Sequence, residues 1–152
     1  MLRVWSRIWG VALALLGAAS AAFGAPLGPP TGFPPGLQVV DTLVGDGPAV
    51  GRGDIVAVHY AGYLYDPAAQ DGHGKPFDST AEHSGDPLVF RLGRNSVIAG
   101  WEAGITGMQR GGRRHLVIPP QLAYGSRSVG RKVPANATLV FEVTLVSLQV
   151  MD

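Results

Sequence analysis

Hydrophobic positions along this chain follow two periods. From Ile55 to Tyr65 they alternate, with Val56, Val58 and Tyr60 on one face and Ile55, Ala57 and His59 on the other. That two-residue repeat is a strand, and it places His59 on the outer face. Leu88, Phe90 and Leu92 repeat the pattern over a shorter run. Leu116 and Ile118 alternate with His115 and Val117 in a strand from Arg113 to Ile118. Leu139, Phe141, Val143 and Leu145 face inward in a last strand running to Val150, and Leu37 to Leu43 alternates loosely as a first strand. Between Leu92 and Arg113 the period lengthens: Val97, Ile98, Trp101 and Ile105 recur along one side of a short helix.

That helix is weak. Gly100, Gly104 and Gly107 lie in or beside it, and each glycine in a helix interior costs about 1 kcal/mol against alanine. So short a helix does not stand alone, and the flanking strands must cover it. The expectation is an α+β domain in which a curled, mostly antiparallel sheet, a half-barrel, wraps one short helix. Trp101 would floor a pocket between them.

Turn chemistry separates the elements. Gly45-Asp46-Gly47-Pro48 and Gly51-Arg52-Gly53-Asp54 are turn clusters. Gly93 to Ser96 turns into the helix, with Asn95 or Ser96 as its side-chain cap. Met108 to Gly112 leads out of it, Pro119-Pro120 ends the following strand, and Gln121 to Ala137 forms a long loop carrying Tyr124. Asp66 to Pro76 is polar and glycine-rich and reads as a solvated loop. Asp71 and His73 within it are too few to indicate a metal site, so no metal is expected.

The first 36 residues have a different character. Arg3 and Arg7 precede an apolar stretch from Ile8 to Ala22, and small residues at Ala22 and Gly24 stand before Ala25. This is the pattern of a signal peptide, residues 1–24, cut after Gly24. The apolar stretch falls short of the roughly 20 residues that span a bilayer. A proline- and glycine-rich linker follows at residues 25–36, its five prolines blocking regular structure. Export through the general route places the protein in a bacterial periplasm, with release to the medium as the alternative, and no stable membrane association after cleavage.

Composition narrows the chemistry. There is no cysteine, which excludes disulfides, thiolate catalysis and cysteine-ligated zinc. The chain carries 12 basic and 11 acidic residues; without Arg3 and Arg7 the balance is 10 against 11, or −1. Nothing in that balance favours nucleic acid or an anionic membrane.

Several stretches taken together resemble the FKBP-type peptidyl-prolyl cis-trans isomerases. They are Val58-His59-Tyr60 with Gly62, Phe77-Asp78-Ser79, Val97-Ile98-Ala99-Gly100-Trp101-Glu102 with Gly104, Leu122-Ala123-Tyr124-Gly125, and Pro134 to Phe141. They occur in the family's order across an isomerase domain expected at residues 37–150. The resemblance implies an enzyme without cofactor or metal, of the exported, single-domain bacterial type. It implies Tyr60, Asp78, Ile98 and Tyr124 as catalytic residues, with Asp78 pointing into the pocket, the Ile98 backbone amide holding a substrate carbonyl and the Tyr124 hydroxyl donating to bound peptide. Phe77, Leu88, Val97, Trp101 and Phe141 would bind substrate. His83 stands near the place where the family commonly has an arginine that positions the acidic residue. Val129 and Lys132 replace a histidine and an aliphatic residue of the best-known members.

Implied partners are proline-containing peptides, unfolded exported proteins and macrolide inhibitors of the FK506/rapamycin type. A monomer is expected, since only the short linker precedes the domain. Arg127, Arg131 and Lys132 would either be solvated or recruit peptides with acidic flanks. The alternative to a catalyst is a binding module, a chaperone-like folding helper whose isomerase activity is incidental.

Overall fold

The computed structural model describes residues 36–152. The expected signal peptide and nearly all of the linker lie outside the described residues. Six strands and one helix follow in the order β1 (Gln38–Leu43), β2 (Ile55–Tyr65), β3 (His73–Ser79), β4 (Leu88–Arg91), α1 (Ala99–Ile105), β5 (Arg113–Ile118) and β6 (Leu139–Gln149). Short 3-10 turns at Thr80–Glu82 and Pro120–Leu122 follow β3 and β5.

The strands form a single sheet in the order β1-β5-β6-β2-β3. β4 pairs with Ile55 to Val58 at the start of β2, and β3 with Ala61 to Tyr65 farther along the same edge. All pairings are antiparallel. The expectation of a curled half-barrel is therefore corrected. β1 and β3 end the strand path without pairing to each other, so the sheet is open. Element lengths give the reason. β2 and β6 have 11 residues each and α1 has seven, so the strands extend over roughly 35 Å and the helix over about 10 Å. Such a helix lies on part of one face.

What holds it there is close approach to β5. A Cβ on Gly100 would run into the Ile118 side chain, and one on Gly104 would sit 2.9 Å from Leu116 Cδ1. The glycines that weaken the helix thus let its backbone rest on the sheet. Trp101, Ile105 and Met108 join Val56, Val58, Leu92, Leu116, Ile118, Leu139, Val143 and Leu145 in one core. Buried Arg114 locks the helix end: its Nη1 donates to the carbonyls of Gly104 at 2.7 Å and Thr106 at 2.9 Å, while Nε and Nη2 bind Asp41 of β1 at 2.7 and 3.2 Å. It satisfies carbonyls that a helix leaves without partners.

Some local expectations change. Neither Asn95 nor Ser96 caps α1. Ile98 occupies the cap position without a side-chain bond. Glu102 instead reaches back from the first turn to accept from the amides of Gly93 at 2.5 Å and Asn95 at 3.0 Å. His73 to Pro76 belong to β3 and not to a solvated loop, because antiparallel pairing sets Pro76 opposite Tyr63 and His73 opposite Tyr65. Val117, expected outward, is buried. At the start of β2 the carboxylate of Asp54 accepts from the amides of Gly51 at 2.8 Å and Met151 at 2.9 Å. Those two hydrogen bonds hold its pKa below the ordinary carboxylate value.

Candidate active site

The helix side of the sheet carries a group of aromatic rings that meet edge to face. Trp101 lies 5.0 Å from Tyr60 and 5.2 Å from Phe141, centroid to centroid, at 78° and 84°. Phe77 meets Phe141 at 5.5 Å and 86°. Such edge contacts place the positive rim of one ring on the negative face of the next. Gly62 makes room for them, since a Cβ there would lie 2.7 Å from Phe77 Cζ and 2.8 Å from Phe141 Cε1. The Trp101 indole N–H is buried without a hydrogen-bond partner, at a local cost of about 1–3 kcal/mol.

Above these rings opens a cavity of about 470 Å³ lined by Tyr60, Phe77, Asp78, Leu88, Ser96, Val97, Ile98, Trp101, Tyr124 and Phe141. All nine residues singled out in the sequence lie on its wall. They come from β2, β3, β4, the entry to α1 and α1 itself, the loop after β5, and β6. Leu88 stands at the rim, 40 % exposed. Ile98 accepts hydrogen bonds on its carbonyl from Trp101 and Glu102. Its own N–H precedes the first helical turn, where amides have no intrahelical acceptor.

Polar groups gather at one corner. Asp78, opposite Gly62 in the β2–β3 register, accepts from the Tyr60 hydroxyl at 2.7 Å on Oδ2 and faces His83 Nε2 at 2.8 Å on Oδ1. Burial, reinforced by the Asp78 carboxylate, raises the pKa of the Tyr60 hydroxyl far above the ordinary tyrosine range. Burial and Asp78 also raise that of Tyr124. Both phenols therefore remain donors at neutral pH. Tyr124 is carried by the 3-10 turn at Pro120, with Gly125 N–H on the Pro120 carbonyl at 2.8 Å and Asn136 N–H on the Gly125 carbonyl at 2.8 Å. Lys132 of the basic loop donates to Glu82 at 3.3 Å, so part of that loop's charge is already matched.

Comparison with known proteins agrees with this geometry. Residues 47–146 match the family described as FKBP-type peptidyl-prolyl cis-trans isomerase. The chain belongs to that family. It is 51% identical over 96 residues to FK506-binding protein 2 of Candida glabrata, covering 63% of this chain and 65% of that protein. It is 42% identical over 106 residues to FK506-binding protein 1 of Aspergillus oryzae, covering 68% and 90%. The crystal structure of AtFKBP13 superposes with a TM-score of 0.64 at 38% identity, over 77% of this chain and 96% of that one. The FKBP-type chain thus spans just under two thirds of the first of these relatives and most of the second.

Two features of the site were not legible at the outset. Ser96 lines the cavity, although its place directly before Val97 and Ile98 was a signal for it. His59 looks outward, as alternation requires, yet its Nδ1 meets Thr80 Oγ1 at 3.1 Å. It thereby steadies the turn that follows Asp78 and Ser79.

Proposed function

We propose that this chain is a peptidyl-prolyl cis-trans isomerase acting on proline-containing peptides and on unfolded exported proteins, with no cofactor or metal in the reaction. The observation that carries this is the convergence of the aromatic floor, the twice-bonded Asp78 and the helix-entry backbone on one cavity. Rotation about an X-Pro bond meets a barrier of about 18–20 kcal/mol because the amide has partial double-bond character. No bond is made or cut, so the site needs only to favour the twisted state over the planar one.

In the twisted state the carbonyl is less polar and the nitrogen more pyramidal. A cavity floored by Trp101, Phe77 and Phe141 disfavours the polar planar amide. Withdrawing an amide from water costs roughly 1–3 kcal/mol, which corresponds to about one or two decades of rate when binding elsewhere offsets it. The Ile98 N–H and the Tyr124 hydroxyl position the carbonyl and supply the rest. Both oxygens of Asp78 are already engaged, so it acts as an oriented charge on the pocket wall and not as a base.

The proposal includes export. Residues 1–24 act as a signal and residues 25–36 as a linker to the domain at 37–150, giving a monomer of the bacterial single-domain type in the periplasm. N-terminal sequencing of protein from that compartment should begin at Ala25, and a retained Met1 would sink the claim. The names of the fungal relatives, FK506-binding proteins, support FK506 as a ligand of the same cavity. The rival, a folding helper that only binds, is separated by a protease-free refolding assay limited by proline isomerisation. A catalyst accelerates refolding at substoichiometric ratios and a passive binder does not.

A further inference from the structure

The face of the sheet turned away from α1 brings together His73, His115 and Glu142. His115 of β5 and Glu142 of β6 are direct cross-strand partners. On the other side of Glu142 the β2 partner is Ala61, small enough for the imidazole of His73, at the start of β3, to reach across. His73 Nε2 lies 2.9 Å and His115 Nδ1 2.5 Å from the same carboxylate oxygen, Glu142 Oε1. All three potential ligand atoms fall within 4.8 Å of one another. The residues are half-buried, so the cluster is held yet reachable from solvent.

We propose that His73, His115 and Glu142 form a binding site for a divalent transition-metal ion, zinc being the type case. Two imidazole nitrogens and one carboxylate oxygen are a donor set for zinc, copper or nickel and not for calcium or magnesium. Three protein ligands leave the fourth tetrahedral position to water.

Two further observations point the same way. Tyr63 stacks on the His73 ring at 4.2 Å and 12°, fixing its plane. His73 Nδ1 meets Asp71 Oδ2 at 3.0 Å, while the other Asp71 oxygen accepts from the His73 backbone N–H. A carboxylate on the far nitrogen is the arrangement that orients a metal-bound histidine. Both ring nitrogens of His73 therefore face carboxylates: a neutral imidazole, with its single N–H, satisfies one of them, and either a second proton or a cation must meet the other. A cation between Nε2 and Glu142 removes the conflict and leaves that N–H for Asp71.

Ligand atoms around tetrahedral zinc stand about 3.3 Å apart at bonds of about 2.0 Å. The two imidazole–carboxylate pairs would open by less than an ångström, and the two imidazole nitrogens, within 4.8 Å of each other, would settle to the same spacing. Bound there, the ion ties β3, β5 and β6 on the face opposite the cavity, so it stabilises the fold by linkage without entering the reaction.

The test uses the untagged chain, stripped with a chelator and titrated with zinc chloride. Long-range imidazole spectra and calorimetry are recorded together. One zinc per chain should bind, and the ring nitrogens of His73 and His115 should shift while those of His59 and His83 stay in place. Affinity should fall at least tenfold in Glu142→Gln and in His115→Gln. The proposal is overturned if zinc saturation leaves the His73 and His115 rings unmoved, an outcome that needs no variant to fold. Undiminished affinity in the folded double variant His73→Gln/His115→Gln overturns it equally.

Discussion

Phe141 and Glu142 are neighbours in β6, and their side chains belong to opposite faces of one sheet. The face under α1 is aromatic: Tyr60, Phe77, Trp101 and Phe141 touch edge to face, with one carboxylate, Asp78, tied down at the corner. The far face gathers His73, His115 and Glu142, with the Tyr63 ring stacked on His73. The pleat alone separates these environments, since successive residues of a strand point to opposite sides. One face suits an uncharged rotation in an aromatic cavity, the other suits a cation. The comparison teaches that the strands supply two chemistries, and substitutions should separate them.

The largest expected effect is on the helix side. Asp78→Ala should lower the isomerase rate on a proline tetrapeptide by about one to two decades, the loss of an oriented charge on the cavity wall. Phe141→Ala should lower it comparably and also cost about 3–5 kcal/mol of stability, because it empties a core position shared by three rings. Denaturant titration separates the two: Asp78→Ala should keep most of its stability. If Glu142→Gln lost as much activity as Asp78→Ala, the separation of the faces would be wrong. Its rate is expected within about twofold of wild type, as for a substitution outside the reacting site.

Next comes the contact that seats the helix. Gly104→Ala should destabilise by about 1–3 kcal/mol through overpacking against Leu116, read as a lower midpoint in urea. An unchanged midpoint would mean that α1 is not pressed on β5.

The smallest effects follow pH. Tyr60 and Tyr124 have raised pKa values, so their protonated state is stabilised on folding, fully below the ordinary value near 10.0 and progressively less as pH rises past it. The isomerase rate should show no loss from these phenols between pH 6 and 9 in a buffer scan. Asp54 has the opposite sign. Its depressed value stabilises the fold above about pH 3.8 and ceases to do so as pH falls below that. The stability gap between wild type and Asp54→Asn should therefore narrow on acidification.

Strand positions were legible because alternation is strong: β2 was read as Ile55 to Tyr65, and those are its bounds. The cavity lining was legible through the family resemblance that assigned Tyr60, Phe77, Trp101, Tyr124 and Phe141 to one pocket, and all five line it. The shape of the sheet was not, since pairing order and closure are not written in the period of any one strand. His73 was misplaced for a related reason. A polar, glycine-rich stretch resembles a loop until β2 supplies partners for it. Nothing in the strand pattern singles out Arg114, and only the packing of α1 on β5 shows it closing the helix end. The far-face cluster is the extreme case, because His73, His115 and Glu142 are scattered in sequence and meet only after the β5-β6-β2-β3 order forms.

The central claim is tested most directly by exchange NMR on a proline tetrapeptide with catalytic amounts of wild-type protein and of Asp78→Ala. Wild type should broaden and merge the cis and trans resonances, and the variant should do so far less at equal concentration. Exchange rates that are the same with and without the wild-type protein would contradict the assignment of this cavity as an isomerase site.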